Sequence, residues 1–142
     1  MLSPRRTKFR KFQKGKARGV KSNQSSLQFG HYGIKSLESG RISASVIEAA
    51  RRTMTRVFRR HGRIWIRIFP DIAVSQKPTE VRMGKGKGSP SYWVCRVQRG
   101  QILFEIDGVS PALATQAASI LSYKFPLQIQ LVEDHQYYQQ AT

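Results

Sequence analysis

The sequence predicts an α+β fold in which two helices are layered on a mainly antiparallel sheet, preceded by an extended basic N-terminal arm. Three observations predict it. Residues 43–60 and 110–123 carry apolar side chains at helical spacing behind recognisable start signals. Residues 63–69, 92–98, 102–107 and 127–131 read as short strands between turn signals. Residues 1–24 hold nine basic side chains, no acid and no sustained apolar periodicity. The chain therefore divides into an arm (1–24), an α+β domain (25–132) and a polar tail (133–142).

The arm carries Arg5, Arg6, Lys8, Arg10, Lys11, Lys14, Lys16, Arg18 and Lys21, with Phe9 and Phe12 as its aromatics. Such a segment is expected to be irregular or disordered in isolation. Its single sign of charge favours a polyanionic ligand over a merely solvated tail. From 26 to 37, strand-like pieces are broken by Gly30 and Gly33, and Gly40 marks a turn. Ser43 or Ser45 can cap the first helix, and Ser45 with Glu48 makes a capping box. The helix is expected to reach Arg60, with Gly62 just past its end.

At about 100° per residue, Val46, Ile47, Ala50, Met54, Val57 and Phe58 share one face of this helix. Arg51, Arg52, Arg56, Arg59 and Arg60 share the opposite one, with no acid after Glu48. Arginine's planar fork suits bidentate phosphate contact, so this face is a candidate nucleic-acid surface. In the strand 63–69, alternation sends Ile64, Ile66 and Ile68 to the core and Arg63, Trp65, Arg67 and Phe69 to the other side. That side could stack on bases or pack beneath the basic helix. A loop is expected from Pro70 to the glycine-rich run of Arg82, Met83, Gly84, Lys85, Gly86, Lys87 and Gly88. The strands 92–98 and 102–107 would form a hairpin around Arg99-Gly100. Ser110-Pro111 starts a helix burying Leu113, Ala117, Ile120 and Leu121, and a last strand alternates Leu127, Ile129 and Leu131 with Gln128 and Gln130.

Charge bounds the function. The 142 residues carry a net charge of +17, and 24 of the 25 basic residues lie in 1–99 against four acids. Residues 100–142 hold Lys124 against Glu105, Asp107, Glu133 and Asp134. This is a basic binding face beside a near-neutral scaffold, the footprint of a nucleic-acid partner. A single cysteine, Cys95, excludes an internal disulfide. No apolar run approaches the ~18 residues of a membrane span, and no apolar segment follows the basic start as in a secretory signal.

Catalytic readings fail on spacing. Glycines at 84, 86 and 88 lead toward a strand, unlike a phosphate-binding loop that opens a helix. His31, His61, His135 and Cys95 have no zinc-ligand spacing, and Cys95 has no neighbouring base. Glu105 and Asp107 are expected on opposite strand faces. The chain is read as a non-enzyme needing no cofactor or metal.

Long stretches resemble one family. They are Met1-Leu2-Ser3-Pro4-Arg5-Arg6-Thr7-Lys8-Phe9-Arg10-Lys11, Ile47-Glu48-Ala49-Ala50-Arg51-Arg52, Ile64-Trp65-Ile66-Arg67-Ile68-Phe69-Pro70-Asp71, Lys77-Pro78, 81–88 and Tyr92-Trp93-Val94. Together, and in this order as far as Leu131, they resemble bacterial and organellar large-subunit ribosomal protein L-sixteen. The resemblance implies a structural constituent of the large subunit that binds ribosomal RNA and helps shape the aminoacyl-tRNA site near the peptidyl-transferase centre.

It also implies residue roles. Arg5, Arg6, Lys8, Arg10 and Lys11 would lie in the RNA-contacting arm, Arg51, Arg52 and Arg56 on the RNA-facing helix, and 82–88 in the loop nearest tRNA. The charge pattern itself adds Lys14, Lys16, Arg18, Arg59, Arg60, Arg63 and Arg67 to the expected RNA contacts. Expected partners are large-subunit ribosomal RNA, aminoacyl-site tRNA and neighbouring ribosomal proteins, with neither a membrane nor a second copy of the chain. The match to the family's start points to a bacterial or organelle-encoded protein. Residues 100–110 favour the mitochondrial matrix, while 88–94 look equally plastid-like. A free-standing nucleic-acid module and an RNA-processing enzyme are the competing readings.

Overall fold

A computed structural model describes residues 2–18 and 26–134. Lys21, His135 and the tail beyond Asp134 lie outside the described residues. The element order is β1 (Tyr32–Ser36), β2 (Gly40–Ser43), α1 (Ala44–Val57), β3 (Arg63–Ile66), β4 (Ile72–Gln76), β5 (Ser89–Val97), β6 (Ile102–Asp107), α2 (Pro111–Ser122) and β7 (Ile129–Glu133). Every strand pairing is antiparallel. The strands form two sheets, one ordered β3-β6-β1-β7 and the other β2-β5-β4.

The α+β class, both helices and the final strand agree with the sequence. The connectivity does not. β5 and β6 belong to different sheets, so the expected hairpin around Arg99-Gly100 does not exist. Gly100, at φ 85°, turns the chain and donates its N–H to Ser36 O at 2.8 Å, carrying it from one sheet into the other. Residues 72–76, expected as loop, are β4, and β4 with β5 makes the hairpin whose tip is the glycine-rich loop. Gly33 does not break β1 but lies inside it, because Leu27 occupies the space a Cβ would take.

Helix α1 starts at Ser43, whose extended backbone (φ −76°, ψ 154°) brings Oγ within 3.4 Å of Val46 N. The expected Ser45 capping box is absent, since Glu48 turns to Arg51 and Arg52 instead. The helix ends at Phe58 rather than Arg60. Arg59 (φ 50°) and Arg60 (φ 67°) have left-handed backbone and close the end with N–H bonds to Arg56 O and Thr55 O.

The buried face of α1 (Ile47, Ala50, Met54 and the C-cap Phe58) packs on α2 and shares one core cluster with Ala114, Ala117 and Leu121 of α2 and Ile34, Phe104 and Ile106 of the first sheet. Leu113 and Ile120 of α2 are only half-buried, and Ala114 takes a core position not anticipated. Ile68 is fully in the core, with Ile64 and Ile66 packed against it. A core built from such side chains, each contributing roughly 1.5–3 kcal/mol on burial, leaves the basic side chains outside it.

Candidate nucleic-acid interface

Residues 2–18 of the arm form no regular secondary structure, yet they are fastened to the second sheet by side chains that local sequence patterns do not single out. Arg41 on β2 and Arg96 on β5 are directly opposite in the strand register. Two like charges so placed repel one another unless something takes up both. The arm's backbone does so. Arg41 donates to Lys14 O (2.6 Å) and Gly15 O (2.7 Å), and Arg96 to Gln13 O and Lys14 O (both 2.9 Å). Gln98 donates to Arg18 O at 2.6 Å. Lys11 donates to Lys87 O at 2.7 Å, and Lys87 in turn donates to Phe12 O. These donors hold the arm's carbonyls inward, while the side chains of Arg5, Arg6, Lys8, Arg10, Lys11, Lys14, Lys16 and Arg18 are exposed.

The latch has a measurable consequence. Charge-assisted bonds from two arginines, each worth roughly 1 kcal/mol net, hold the arm closed in the free protein. An Arg41→Ala/Arg96→Ala variant is expected to be cleaved at Lys11, Lys14 and Lys16 by a lysine-specific protease roughly tenfold faster than the parent, with its melting temperature little changed. Cleavage of this kind tracks the population of the open arm. Equal rates would mean that the arm is not held by this pair.

The arginine face of α1 is a second basic surface. Arg51, Arg52 and Arg56 line one shallow groove of about 430 Å³ with Thr55 and with Arg59 and Arg60 from the left-handed turn. Within it the charges are not equivalent. Glu48 accepts from Arg51 Nε (3.0 Å) and Nη2 (2.7 Å) and from Arg52 Nε (3.1 Å). The Arg51 hydrogen bond, helped by Arg52, holds the Glu48 carboxyl down at about 2 against the opposing effect of desolvation. Arg56, Arg59 and Arg60 have no acidic partner among the described residues and are exposed.

The loop 82–88 is a third surface. Gly84 (φ 96°), Lys85 (φ 57°) and Gly86 (φ 89°) are successive left-handed residues, and nothing lies within 4 Å of where a Cβ on either glycine would stand. The tip therefore projects clear of the domain, with Met83 99% exposed. Lys77 donates to Gly84 O and steadies the tip's base. Arg82, Lys85 and Lys87 are exposed along it.

The strand arginines divide. Arg63, at the start of β3, is exposed as expected for a ligand-facing residue. Arg67 is not: its side chain is 12% exposed, and Nη1 donates to Glu105 Oε1 and Ser26 O, both at 2.7 Å. Its charge is paired within the protein. Glu105 is wholly buried and also accepts from the N–H groups of Gln28 (3.0 Å), Phe29 (2.6 Å) and Gly30 (3.0 Å). Burial alone would raise its pKa, but those three N–H donors and Arg67 outweigh it and hold the carboxyl below its ordinary value. Asp107 bonds His31 Nδ1. Both carboxylates thus turn toward the strap 26–31, correcting the expectation of opposite faces: residues two apart on a strand share a face.

No catalytic set emerges among the described residues. Cys95 is buried, and desolvation, with Asp71 nearby, pushes its thiol up to about 11, leaving it protonated. No cluster of His, Cys, Asp and Glu suited to a metal occurs among the described residues, and no helix there is long and apolar enough to cross a membrane.

A basic, acid-poor surface spread over a latched arm, a helix face and a projecting loop is suited to a polyanionic partner. Comparison with known proteins makes the class specific. Residues 4–132 match the model of the family described as Ribosomal protein L16p/L10e, and the chain belongs to that family. It is 60% identical over 132 residues to the large ribosomal subunit protein uL16m of Prototheca wickerhamii, covering 93% of this chain and 98% of that protein. It is 57% identical over 129 residues to uL16m of Marchantia polymorpha (91% and 96%), and 55% identical over 132 residues to uL16 of Gluconacetobacter diazotrophicus (93% and 96%). The chain is a structural, non-enzymatic constituent of the large ribosomal subunit.

Proposed function

We propose that this protein binds large-subunit ribosomal RNA through the three basic surfaces and helps shape the aminoacyl-tRNA site beside the peptidyl-transferase centre. The observation that carries the reading is the disposition of charge. The arm, the groove of Arg51, Arg52, Arg56, Arg59 and Arg60, and the loop with Arg82, Lys85 and Lys87 are all solvent-facing, while the domain's one wholly buried carboxylate, Glu105, is committed internally to Arg67 and the strap. Phosphate contacts of this kind fix register and orientation on a folded RNA. The arm follows the RNA backbone as a preformed strip. Arg63 extends the arginine face. The projecting loop, thin and without side-chain bulk at Gly84 and Gly86, is the element able to reach the aminoacyl-site tRNA.

Neighbouring large-subunit proteins are its protein partners, and it acts as a single copy. The mitochondrial matrix is the proposed location, supported by the uL16m relatives at 60% and 57% identity, although a bacterial uL16 at 55% is nearly as similar.

Fractionation of native extract on sucrose gradients tests the reading. The protein is expected with the large subunit at both low and high salt, because multiple phosphate contacts plus a seated arm dissociate slowly. Recovery at the top of the gradient even at low salt would replace the ribosomal role by that of a free nucleic-acid-binding module. Fractionation of organelles assigns the compartment, and a plastid or bacterial source would overturn the mitochondrial one.

A further inference from the structure

We propose that Phe29, backed by Trp65, is a stacking platform for an unpaired ribosomal RNA base; the proposal rests on the RNA-binding reading and adds that this face takes single-stranded rather than helical RNA. Phe29 is 57% exposed, yet it is not loosely held. Its ring lies against Trp65 with centroids 6.1 Å apart and planes 20° from parallel. Its own N–H bonds the buried Glu105 at 2.6 Å, flanked by those of Gln28 and Gly30. A Cβ on Gly30 would stand 2.5 Å from Ile106 O, so the strap is seated directly on β6. The backbone that carries the ring is thus pinned to Glu105 and the ring itself rests on Trp65, while much of the residue faces solvent.

An aromatic ring held in place beside a second aromatic and a cation can stack on a base, because every base has a π-face. The surrounding charge suits that occupant. The Arg67 guanidinium carbon is 5.9 Å from the Phe29 centroid, and that cation is immobilised by Glu105 and Ser26. Arg63 precedes Trp65 on the same strand face, and a hollow of about 450 Å³ joins Arg67 and the exposed Phe69 to Lys16 and Arg18 of the arm. Aromatic surface with Arg67 beside the ring and the exposed Arg63 on the same strand face fits a base and its phosphate better than an apolar protein surface. A base inside a helix is covered by its neighbours, so only an unpaired one can reach the ring.

The test uses the full chain and two probes: a short single-stranded RNA with one 2-aminopurine flanked by uridines, and a duplex of equal length. Binding of the wild-type protein is expected to quench 2-aminopurine fluorescence. Phe29→Leu, which keeps apolar bulk but loses the aromatic face, is expected to abolish the quench and weaken single-strand binding roughly five- to thirty-fold, with duplex binding unchanged. Phe29→Trp is expected to retain both, which separates stacking from any loss of fold. Unchanged quench and affinity in Phe29→Leu would overturn the platform. So would normal RNA binding by Phe29→Leu combined with impaired incorporation into the large subunit, which would assign the ring to a protein neighbour. The charge-removed variant Arg56→Ala/Arg59→Gly/Arg60→Gly keeps the two readings apart. If it loses salt-dependent binding while Phe29→Leu does not, the platform alone falls; if neither variant differs from wild type, the RNA reading of this face falls with it.

Discussion

Replacing Glu105 by alanine is expected to cost about 3–5 kcal/mol of folding stability. The carboxylate is wholly buried and pairs with Arg67, whose side chain is only 12% exposed. Removing it takes the carboxylate partner from the largely covered Arg67 guanidinium and the shared acceptor from three part-buried strap N–H groups. Domains of this size have total stabilities of roughly 5–15 kcal/mol, so the variant would be marginal. Arg67→Ala alone should be less harmful, since Glu105 keeps its bonds from Gln28, Phe29 and Gly30.

The sign of the pH dependence follows from the lowered pKa of Glu105. A carboxylate whose pKa is lower in the folded than in the unfolded chain contributes stability that is full above the unfolded value, about 4.3. That contribution is lost as pH falls through the lower folded value. Glu105→Gln should therefore be less stable than the parent at neutral pH, and the two should converge on acidification. Urea denaturation at pH 7 and across the acid range measures both. A neutral-pH loss under 1 kcal/mol in Glu105→Ala would show that the strap does not depend on this carboxylate.

The same group marks where the sequence was legible and where it was not. Helix α1 and its arginine face follow from local periodicity, which needs no knowledge of the rest of the chain. The division of the strands into two sheets does not follow, because a turn at Gly100 reads identically whether the chain doubles back or crosses to another sheet. β4 escaped because Ile72–Gln76 is short and lies between Pro70-Asp71 and Lys77-Pro78, which read as loop punctuation. Alternation placed Arg63 and Arg67 on one face correctly, but only the non-local strap decides that Arg67 is covered and Arg63 is not. Arg41 and Arg96 look like isolated strand cations until the register sets them opposite each other. Glu48, which local spacing assigns to a capping box with Ser45, pairs instead with Arg51 and Arg52 at i, i+3 and i, i+4 and divides the arginine face into a partly neutralised half and a fully charged one.

That division yields the second large expectation. Each phosphate contact contributes about 0.7–0.9 to the slope of log affinity against log salt. Removing Arg56, Arg59 and Arg60, which lack acidic partners among the described residues, should reduce the slope by about 2–2.7, and affinity near physiological salt by roughly a hundredfold. Removing Arg51 and Arg52 should change the slope by only about 1, because Glu48 already offsets one of the two charges. The choice of replacement makes the test discriminating. Arg59 and Arg60 hold left-handed backbone at φ 50° and 67°, which costs a side-chain-bearing residue about 1–2 kcal/mol. Glycine relieves that strain and adds about 0.5–1 kcal/mol of backbone entropy to lose on folding. Arg56→Ala/Arg59→Gly/Arg60→Gly should therefore be at least as stable as the parent while binding RNA far more weakly. A strained turn kept at the most cationic point of the helix face is what selection for binding, rather than for stability, would leave behind. Filter binding to a large-subunit RNA fragment from 50 to 300 mM salt, with thermal melts alongside, separates the two effects. A slope equal to the parent's, in a variant that melts no lower, would remove this turn from the RNA interface.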